Sequence, residues 1–513
     1  MRGSEKSEVT FGCGDLSIED ITAIAHGVRR VSLDGDSSFS DKINRGVAFL
    51  DQLLSEEGVI YGVTTGYGDS CTVPVPLDKV NELPVHLYRF HGCGMGATLS
   101  REAATAVLAV RLASLVRGFS GVSLGLLQRI CDLINEGIIP VIPEEGSVGA
   151  SGDLTPLSYI AAVLCGERSV IYKGQKKPTR EVFESLGIEP LVLRPKEGLA
   201  LMNGTAVMTG LACLAFERAG YLVELSARIT SMAVMALQGN AHHFDEQLFK
   251  VKPHIGQGKV AERIRKDLHA GEAPRNPDRL QDRYSLRCAP HVIGVLADSL
   301  SWMRQWIEVE LNSTNDNPII DAEGEHVLHG GHFYGGHIAF AMDGMKNAVA
   351  SVADLLDRQM AMIVDSKFNN GLAPNLTGAT EDKMISHGLK AVQIAVSSWT
   401  AEALHQTMPL TSFSRSTECH NQDKVSMGTI AARSCLRTLE LSEQVCAALL
   451  IATTQALQLR IREGELTRLS IGEEICQTMD QVNKDVSFLK EDRPLEDDLR
   501  RVVANIQARQ FCI

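Results

Sequence analysis

The 513-residue sequence lacks features that mark several large classes of protein. No two of its 12 cysteines have Cys-x-x-Cys spacing, and the first residues show no apolar stretch behind a basic head. We therefore expect reduced thiols, no signal peptide and a cytoplasmic location. A net charge of −13 without any basic run disfavours binding to nucleic acid or to an anionic membrane surface.

Long apolar runs and strand-like alternation are also scarce. The charge-free apolar stretch 445–459 is shorter than the about 20 residues that span a bilayer, and it contains Thr453 and Gln455. It therefore predicts a buried helix and no membrane association. Polar and apolar residues alternate with a period of two almost nowhere, which argues against a protein built on sheets.

Helical patterns dominate from about Gly204 onward, where apolar residues recur at helical spacing. They predict helices over 206–237, 288–312, 336–365, 383–406 and 424–462. Before them we expect a helix that begins at a capping box on Ser17, helices over 101–117 and 122–136, an extended piece over 137–143, and, later, a loop over 255–277. The predicted fold is mainly α, with a smaller mixed N-terminal domain (1–203) and a long-helix bundle (204–513).

A segment rich in small residues, Gly146 to Asp153, precedes a predicted helix. It is not a Walker A loop, because no Lys-Ser/Thr pair follows its glycines. It is not a nucleophile elbow either, because Asp153 stands where that motif requires glycine. As a generic pattern it is a glycine-rich turn that caps the helix.

The same segment permits another chemistry, at Ala150-Ser151-Gly152. If the amide nitrogen of Gly152 attacks the carbonyl of Ala150, a five-membered imidazolone forms. Loss of two waters then leaves an exocyclic methylene from the Ser151 side chain. Glycine is needed because a side chain would hinder the nitrogen and the tight turn. The product would be an electrophile in a protein that otherwise offers nucleophiles.

The stretch 146–166 resembles the signature of the aromatic amino-acid lyase family, which contains histidine, phenylalanine and tyrosine ammonia-lyases and related 2,3-aminomutases. Further motifs of the family follow in order, so the resemblance covers nearly the whole chain. It implies 4-methylidene-imidazol-5-one (MIO), formed autocatalytically from Ala150, Ser151 and Gly152, which accepts the substrate amine. It also implies no metal, and a homotetramer whose active sites combine residues from three subunits.

The resemblance also assigns roles to single residues. Tyr61, in a glycine-rich lid, would remove a β-proton of the substrate, for which its pKa must fall below the usual value of about 10; helix N-termini could lower it. Tyr284 would belong to a second lid. Arg287 would hold the substrate carboxylate, which suits a guanidinium fork. The substrate-binding candidates are Phe90, His91, Asn203, Gln281, Arg287, Phe333, Lys390, Gln393, Glu418, Asn421 and Gln422.

Histidines are concentrated in the segment 326–337, where short spacing is typical of metal ligands. No carboxylate or cysteine completes a familiar ligand spacing, and the resemblance instead implies a turn that places Phe333 beside the electrophile. His332 stands where the family usually has asparagine. The upstream run 315–318 also fits the family pattern.

The ring-binding residues match no single member of the family. Phe90-His91 occupies the pair that discriminates among substrates, and Gln422 stands where histidine lyases usually have glutamate. His91 offers a polar group that a bare phenyl ring would leave unpaired, at roughly 1–3 kcal/mol. We therefore expect ammonia to be eliminated from L-tyrosine, L-DOPA or a related electron-rich aryl-alanine to give the trans-arylacrylate. The alternatives are a 2,3-aminomutase, a histidine ammonia-lyase, a zinc hydrolase and a non-enzymatic helical scaffold.

Overall fold

Helices form the greater part of the structure, and many of them are rich in alanine and leucine. The structure is a computed structural model that describes residues 7–56, 58–269, 280–381 and 384–513. The helices of these residues are α1 Ile18–Ala25, α2 Ser37–Ser55, α3 Leu83–Phe90, α4 Arg101–Leu115, α5 Leu124–Glu136, α6 Leu154–Leu164, α7 Thr179–Leu186, α8 Glu197–Met202, α9 Ala206–Ala236, α10 Glu246–Lys250, α11 Ile255–Asp267, α12 Tyr284–Arg287, α13 Ala289–Leu311, α14 Gly336–Val364, α15 Lys390–His405, α16 Gly428–Arg462, α17 Arg468–Ile471, α18 Glu473–Asp485 and α19 Glu496–Gln507.

The strands are short and form small sheets. They are β1 Glu8–Phe11, β2 Arg30–Leu33, β3 Met95–Thr98, β4 Ile139–Pro140, β5 Pro143–Glu145, β6 Ser169–Tyr172, β7 Gln175–Pro178, β8 Ile319–Asp321 and β9 His326–Leu328. Strands β1 and β2 pair in parallel, whereas β3–β5, β4–β6–β7 and β8–β9 are antiparallel. The mainly α fold predicted from the sequence is confirmed.

The chain forms two compact units, each assembled from separate segments. The first unit comprises 1–217, 303–343 and 409–433, and every strand of the described residues lies in it. The second comprises 218–302, 344–408 and 434–513. Four of the five unit boundaries fall within long helices, namely α9, α13, α14 and α16, and the fifth lies between residues 408 and 409, outside any helix. The division of the chain at residue 203 stays a prediction.

Helix α4 lies at the centre of the first unit, where every residue from Ala103 to Leu115 is buried. It packs against α1 and α5. Helices α3, α6 and α8 pack against one another and bring the ends of three chain segments together. In the second unit, Ala350 of α14, Ala403 of α15 and Leu441 of α16 form a buried cluster. Each unit therefore has an apolar core of its own.

Most local predictions agree with the structure. Ser17 and Asp20 form the predicted capping box of α1, with a distance of 3.1 Å from the Asp20 nitrogen to Ser17 Oγ. The predicted buried helix over 445–459 lies inside α16. Helices α9 and α16 are long and apolar enough to cross a membrane by length and composition alone, but 78% and 83% of their most apolar windows are buried inside the protein.

The predicted loop over 255–277 is wrong in its first half, where residues 255–267 form α11. Its glycines and charged residues obscured a narrow buried face that includes Val260, Ala261 and Ile264. Residues 270–277 lie outside the described residues. Helix α15 begins at Lys390 rather than at residue 383, and α16 begins at Gly428 rather than at residue 424.

Candidate active site

The first unit contains a cavity of about 1040 Å³. Many of the residues predicted to form the site line it, namely Tyr61, Phe90, His91, Ala150, Ser151, Asn203, Phe333, Glu418, Asn421 and Gln422. The structure thus brings four separate parts of the sequence, near residues 61, 90, 151 and 420, to one cavity. Asn203 and Phe333 line the same cavity.

The loop 146–153 forms one wall of this cavity and lies among the N-termini of α6, α9 and α16. Asp153, at the start of α6, is fully buried, and its carboxylate accepts hydrogen bonds from Met208 N at 2.9 Å, from Ser147 Oγ at 3.0 Å and from the Thr429 hydroxyl. Burial raises the pKa of this carboxyl, and these hydrogen bonds act in the opposite direction. Asp153 therefore ties the loop to the first turns of α9 and α16.

Gly152 lies directly against Gly204. Asp153 N donates to the Gly204 carbonyl at 2.7 Å, and the two glycines form a parallel bridge. A Cβ atom on Gly152 would lie 2.1 Å from the Gly204 oxygen, and the φ of Gly152 is +71°. Only glycine fits this position, for reasons of both space and backbone conformation.

Ser151 has a partner on each side. Asn203 Nδ2 donates to the Ser151 carbonyl at 2.6 Å, and Gln422 Nε2 donates to Ser151 Oγ at 2.9 Å. The Thr417 hydroxyl donates to Gln422 Oε1 at 3.0 Å and so orients that amide. The Ser151 hydroxyl, which would leave in the cyclisation expected from the sequence, therefore already accepts a hydrogen bond that would stabilise it as a leaving group.

Tyr61 lies at the edge of the cavity, and its phenolic oxygen accepts a hydrogen bond from Gly68 N at 2.7 Å. We expected helix N-termini to lower its pKa. Instead, burial raises the pKa of Tyr61; the Gly68 hydrogen bond lowers it, and the nearby Glu418 carboxylate raises it further. Within one chain, desolvation of the phenolate outweighs the single N–H that favours it.

Glu418 opens a turn of three left-handed residues, in which Glu418, Cys419 and His420 have φ values of +49°, +55° and +64°. Hydrogen bonds between Thr417 and Gln422 close the turn. The Glu418 carboxylate accepts from Asp69 N at 2.9 Å and therefore lies on the segment that also supplies Gly68. Non-glycine residues in this conformation cost about 1 kcal/mol or more each, so the turn is a strained element of the cavity wall.

Phe90 and His91 lie at the end of α3, with ring centroids 4.5 Å apart. Burial lowers the pKa of His91 from 6.5 to about 4, so its imidazole is uncharged at neutral pH. The neutral ring has one donor nitrogen and one acceptor nitrogen. This part of the cavity therefore combines an apolar ring with an uncharged polar group.

Apart from Gly152, which packs against Gly204, the other predicted residues belong to the second unit and do not line this cavity; they are Gln281, Tyr284, Arg287, Lys390 and Gln393. Tyr284 and Arg287 lie on the short helix α12, with the guanidinium 4.9 Å from the centre of the exposed tyrosine ring. Lys390 and Gln393 lie about one turn apart on a helix, as predicted, but at the start of α15.

Sequence reasoning missed several residues of the cavity wall. Leu87, Leu199 and Asn317 line it, as does His329, whose ring centroid is 6.4 Å from that of Tyr61. Leu87 lies one turn before Phe90 on α3, so helical spacing could have indicated it. Asn317 belongs to the run 315–318, which matched the family pattern but received no role.

Among the residues that the structure describes, the histidine-rich segment holds no group of three or more metal-ligating side chains that could bind a metal ion. His326 lies on β9, whereas His329 and Phe333 contribute to the cavity wall. The geometry of this segment is that of a strand followed by a turn beside the cavity.

Comparisons with known proteins agree with this geometry. The sequence model of one family, described as aromatic amino acid lyase, matches residues 16–482. A histidine ammonia-lyase of Streptococcus pyogenes serotype M3 is 34% identical over 502 residues, which cover 97% of this chain and 95% of that protein.

Solved structures of similar proteins share the whole fold. The tyrosine aminomutase from Streptomyces globisporus has a TM-score of 0.91 at 32% identity, covering 98% of this chain and 97% of that one. The Pantoea agglomerans phenylalanine aminomutase has a TM-score of 0.90 at 31% identity, covering 98% and 99%. The match over residues 16–482, together with the cavity around Ser151, leads to one conclusion: the chain belongs to the aromatic amino acid lyase family and is a carbon–nitrogen lyase.

Proposed function

We propose that this protein is an MIO-dependent ammonia-lyase that converts an L-aryl-alanine with a hydroxylated ring, such as L-tyrosine or L-DOPA, into the trans-arylacrylate. The observation that carries this proposal is the juxtaposition of Ser151, held by Asn203 and Gln422, with the uncharged His91 in one cavity. The first feature supports the reaction class and the second supports the ring class.

The residues around Ala150-Ser151-Gly152 fit the MIO group. The closeness of Gly152 to Gly204 leaves no room for a Cβ atom, and the buried Oδ1 atom of Asn203 has no hydrogen-bond partner, although it is fully enclosed. A buried, unpaired acceptor is costly unless a donor reaches it during function, and a substrate amine is such a donor. When formed, MIO supplies an electrophile for that amine.

Tyr61 is proposed as the base that takes the β-proton of the substrate. Gly68 N donates to its phenolic oxygen, and this hydrogen bond strengthens when the oxygen becomes a phenolate. Because burial raises the pKa of Tyr61, only a small fraction of the tyrosine is ionised at neutral pH. We therefore propose that further positive groups come from neighbouring subunits.

The substrate carboxylate is assigned to Arg287, whose planar guanidinium can form two parallel hydrogen bonds to it. Arg287 lies in the second unit, as do Gln281, Tyr284, Lys390 and Gln393. We propose that these residues complete the cavity of another subunit in a cytoplasmic homotetramer. Oriented contacts of this kind place the β-proton beside the base before reaction.

Ring selectivity follows from the charge state of the cavity. A phenolic hydroxyl can donate to, or accept from, the uncharged His91, whereas a bare phenyl ring leaves that group unpaired, at roughly 1–3 kcal/mol. Gln422 is likewise neutral, so its side chain offers no carboxylate to an imidazolium substrate. L-Histidine remains a second candidate because the relative from Streptococcus pyogenes is a histidine ammonia-lyase.

An aminomutase outcome is a further candidate because the Streptomyces globisporus neighbour is a tyrosine aminomutase. A mutase and a lyase break the same carbon–nitrogen bond, and they differ in whether the ammonia returns to Cβ. Release of ammonia with the arylacrylate supports the lyase, whereas recovery of a β-amino acid supports the mutase.

The test is a panel of L-tyrosine, L-DOPA, L-phenylalanine and L-histidine, followed by ultraviolet spectra and chiral analysis of the products. We expect the hydroxylated substrates to give the highest kcat/KM, with ammonia and arylacrylate in equal amounts. Ser151→Ala is the control, and we expect it to abolish turnover on every substrate. Preferential turnover of L-histidine would contradict the proposed ring class, and full activity of Ser151→Ala would contradict the reaction class.

A further inference from the structure

Behind the wall formed by Asn203 and Gly204 lies a buried cation that the proposed reaction does not use. Arg111, on the central helix α4, is 0% exposed. Its Nη1 atom donates to the Asn203 carbonyl at 2.9 Å, and its Nη2 atom donates to Ser114 Oγ at 3.0 Å. A buried charge is expensive to desolvate, so its position calls for a physical reason.

Charges around Arg111 compensate part of that expense. Lys196 and Asp316 form a fully buried ion pair, with 2.5 Å from Nζ to Oδ2, and Asp316 and Asp153 both favour the charged guanidinium. Burial nevertheless lowers the pKa of Arg111 from 12.5 to about 10. The guanidinium therefore stays protonated at neutral pH, and its Nε atom has no hydrogen-bond partner.

Gly152, Gly204 and the Arg111 guanidinium pack so closely that neither glycine could carry a Cβ atom. A Cβ atom on Gly152 would lie 2.1 Å from the Gly204 oxygen. A Cβ atom on Gly204 would in turn lie 2.2 Å from Arg111 Nη1 and 2.4 Å from Asn315 Oδ1. The guanidinium thus packs against the turn 203–204, and that turn itself packs against the loop 150–152.

We infer that Arg111 is a positioning residue for the self-cyclisation of Ala150-Ser151-Gly152, through the Asn203–Gly204 turn that it holds against this loop. The inference rests on the proposed MIO chemistry. Cyclisation requires the Gly152 nitrogen to reach the Ala150 carbonyl carbon. A C–N bond forms, and the carbonyl oxygen leaves as water with the amide hydrogens of Gly152 and Ser151. The Ser151 hydroxyl leaves as a second water with the hydrogen of its own Cα. No oxidant or other reactant is needed.

The physical reason is the geometry of the contact. Asn203 uses its backbone oxygen for Arg111 and its side-chain nitrogen for the Ser151 carbonyl, at 2.9 Å and 2.6 Å. A shift of the Asn203 backbone therefore moves both the surface beneath Gly152 and the donor on Ser151. Because an intramolecular attack depends steeply on the approach of the reacting atoms, small displacements slow it strongly.

The experiment compares Arg111→Lys and Arg111→Met with a matched control, Arg460→Lys. Arg460 is also a buried guanidinium that donates to backbone carbonyls, those of Ala236, Asn369 and Asn370, but these lie in the second unit. Both lysine variants keep the positive charge but lose the planar guanidinium with its several donors. Thermal unfolding therefore measures the stability that each variant loses for this reason.

Cyclisation is measured on the full-length protein, purified at successive times after a pulse of expression. The readouts are the mass of the proteolytic peptide that contains Ala150–Gly152, which falls by two waters, and the near-ultraviolet absorbance. We expect cyclisation to be about tenfold slower in Arg111→Lys, and slower still in Arg111→Met. Activity divided by the cyclised fraction is expected to change less than the fraction itself, and Arg460→Lys is expected to cyclise at the wild-type rate.

Cyclisation of Arg111→Lys at the wild-type rate would overturn the inference, as would an equal delay in Arg460→Lys, which would indicate a general loss of stability. A wild-type protein without any dehydrated peptide would contradict the proposed function instead. If Arg111→Met does not fold, Arg111→Lys alone decides between these outcomes.

Discussion

The cavity has two walls of opposite character. The loop 146–153 is enclosed by α6, α9 and α16, and it is fixed by buried groups such as Asp153 and Asn203. The segment 417–424, which contacts the loop through Gln422, is mostly exposed and contains a turn of left-handed residues. Under the proposed function, the enclosed wall would carry the shared chemistry, whereas the exposed wall and the α3 end around His91 would carry the differences between substrates.

Gly204→Ala is expected to break the enclosed wall and to have the largest effect. The new Cβ atom would meet Arg111 and Asn315 at a φ of +148°, so we expect a loss of roughly 2–5 kcal/mol in the free energy of unfolding and no measurable turnover. Thermal unfolding and product formation measure both. Gly220→Ala, inside α9 with nothing within 4 Å, is the control and should be neutral or slightly stabilising; equal effects of the two substitutions would refute the tight stacking.

His91→Leu is expected to change ring preference without touching the enclosed wall. It removes the uncharged polar group beside Phe90, so kcat/KM for L-tyrosine should fall about ten- to hundredfold while that for L-phenylalanine rises. Steady-state kinetics on both substrates measure the ratio. His86→Leu, an exposed position on the same helix, is the control. An unchanged ratio would mean that His91 does not contact the ring.

Glu418→Gln and Glu418→Ala probe the exposed wall, with an expected effect of about tenfold or less. Tyr61 is faced by the Glu418 carboxylate, whose negative charge raises its pKa, by Cys71 and by the ring of Tyr67. Glutamine keeps an acceptor for Asp69 N but removes the charge, so the pKa of Tyr61 falls. The rising limb of the pH–rate profile should then move to lower pH.

Alanine removes both the charge and the acceptor, so its kcat/KM should fall while glutamine retains most of the activity. The pH dependence of kcat/KM separates the two effects, because loss of the turn alone lowers the rate at every pH. A profile of Glu418→Gln that coincides with the wild type would show that the carboxylate does not act on Tyr61.

The last expected effect concerns stability at acid pH rather than turnover. The pKa of His91 is about 4 in the folded protein and near 6.5 when the chain is unfolded, so only the unfolded chain takes up a proton between these values. Folding therefore loses stability as the pH falls through 6.5, and the loss is complete below about 4. Tm measured across this window should decline less steeply in His91→Leu; parallel declines in the two proteins would contradict the burial of the imidazole.

The features predicted well from sequence are those that depend on local patterns. The capping box at Ser17 and the helices α4, α9 and α14 follow from spacing within a few turns. The segment Ala150–Gly152 was identified because its chemistry needs three particular residue types in succession. Local patterns of this kind can be recognised in a sequence without knowledge of the rest of the fold.

Other features depend on contacts that no local pattern encodes. Val260 and Ile264 lie on a buried face of α11, but the surrounding glycines and charges suggested a loop. The pKa of Tyr61 depends on its burial and on Glu418, which lies 357 positions later in the sequence. The sequence analysis did not single out Arg111, and only the structure shows its contact with Asn203.

The enclosure of the loop 146–153 also sets an order of events in the life of the chain. Asp153 bonds to Thr429, the Gly149 carbonyl accepts from Ser426, and the Ser151 hydroxyl accepts from Gln422. These partners are translated more than 270 residues after the loop, as the separations of 276, 277 and 271 positions show. The finished surroundings of the loop therefore exist only after most of the chain has been synthesised. Under the proposed cyclisation, a nascent chain would carry an ordinary Ala-Ser-Gly peptide past the chaperones and thiols that a strong electrophile would modify.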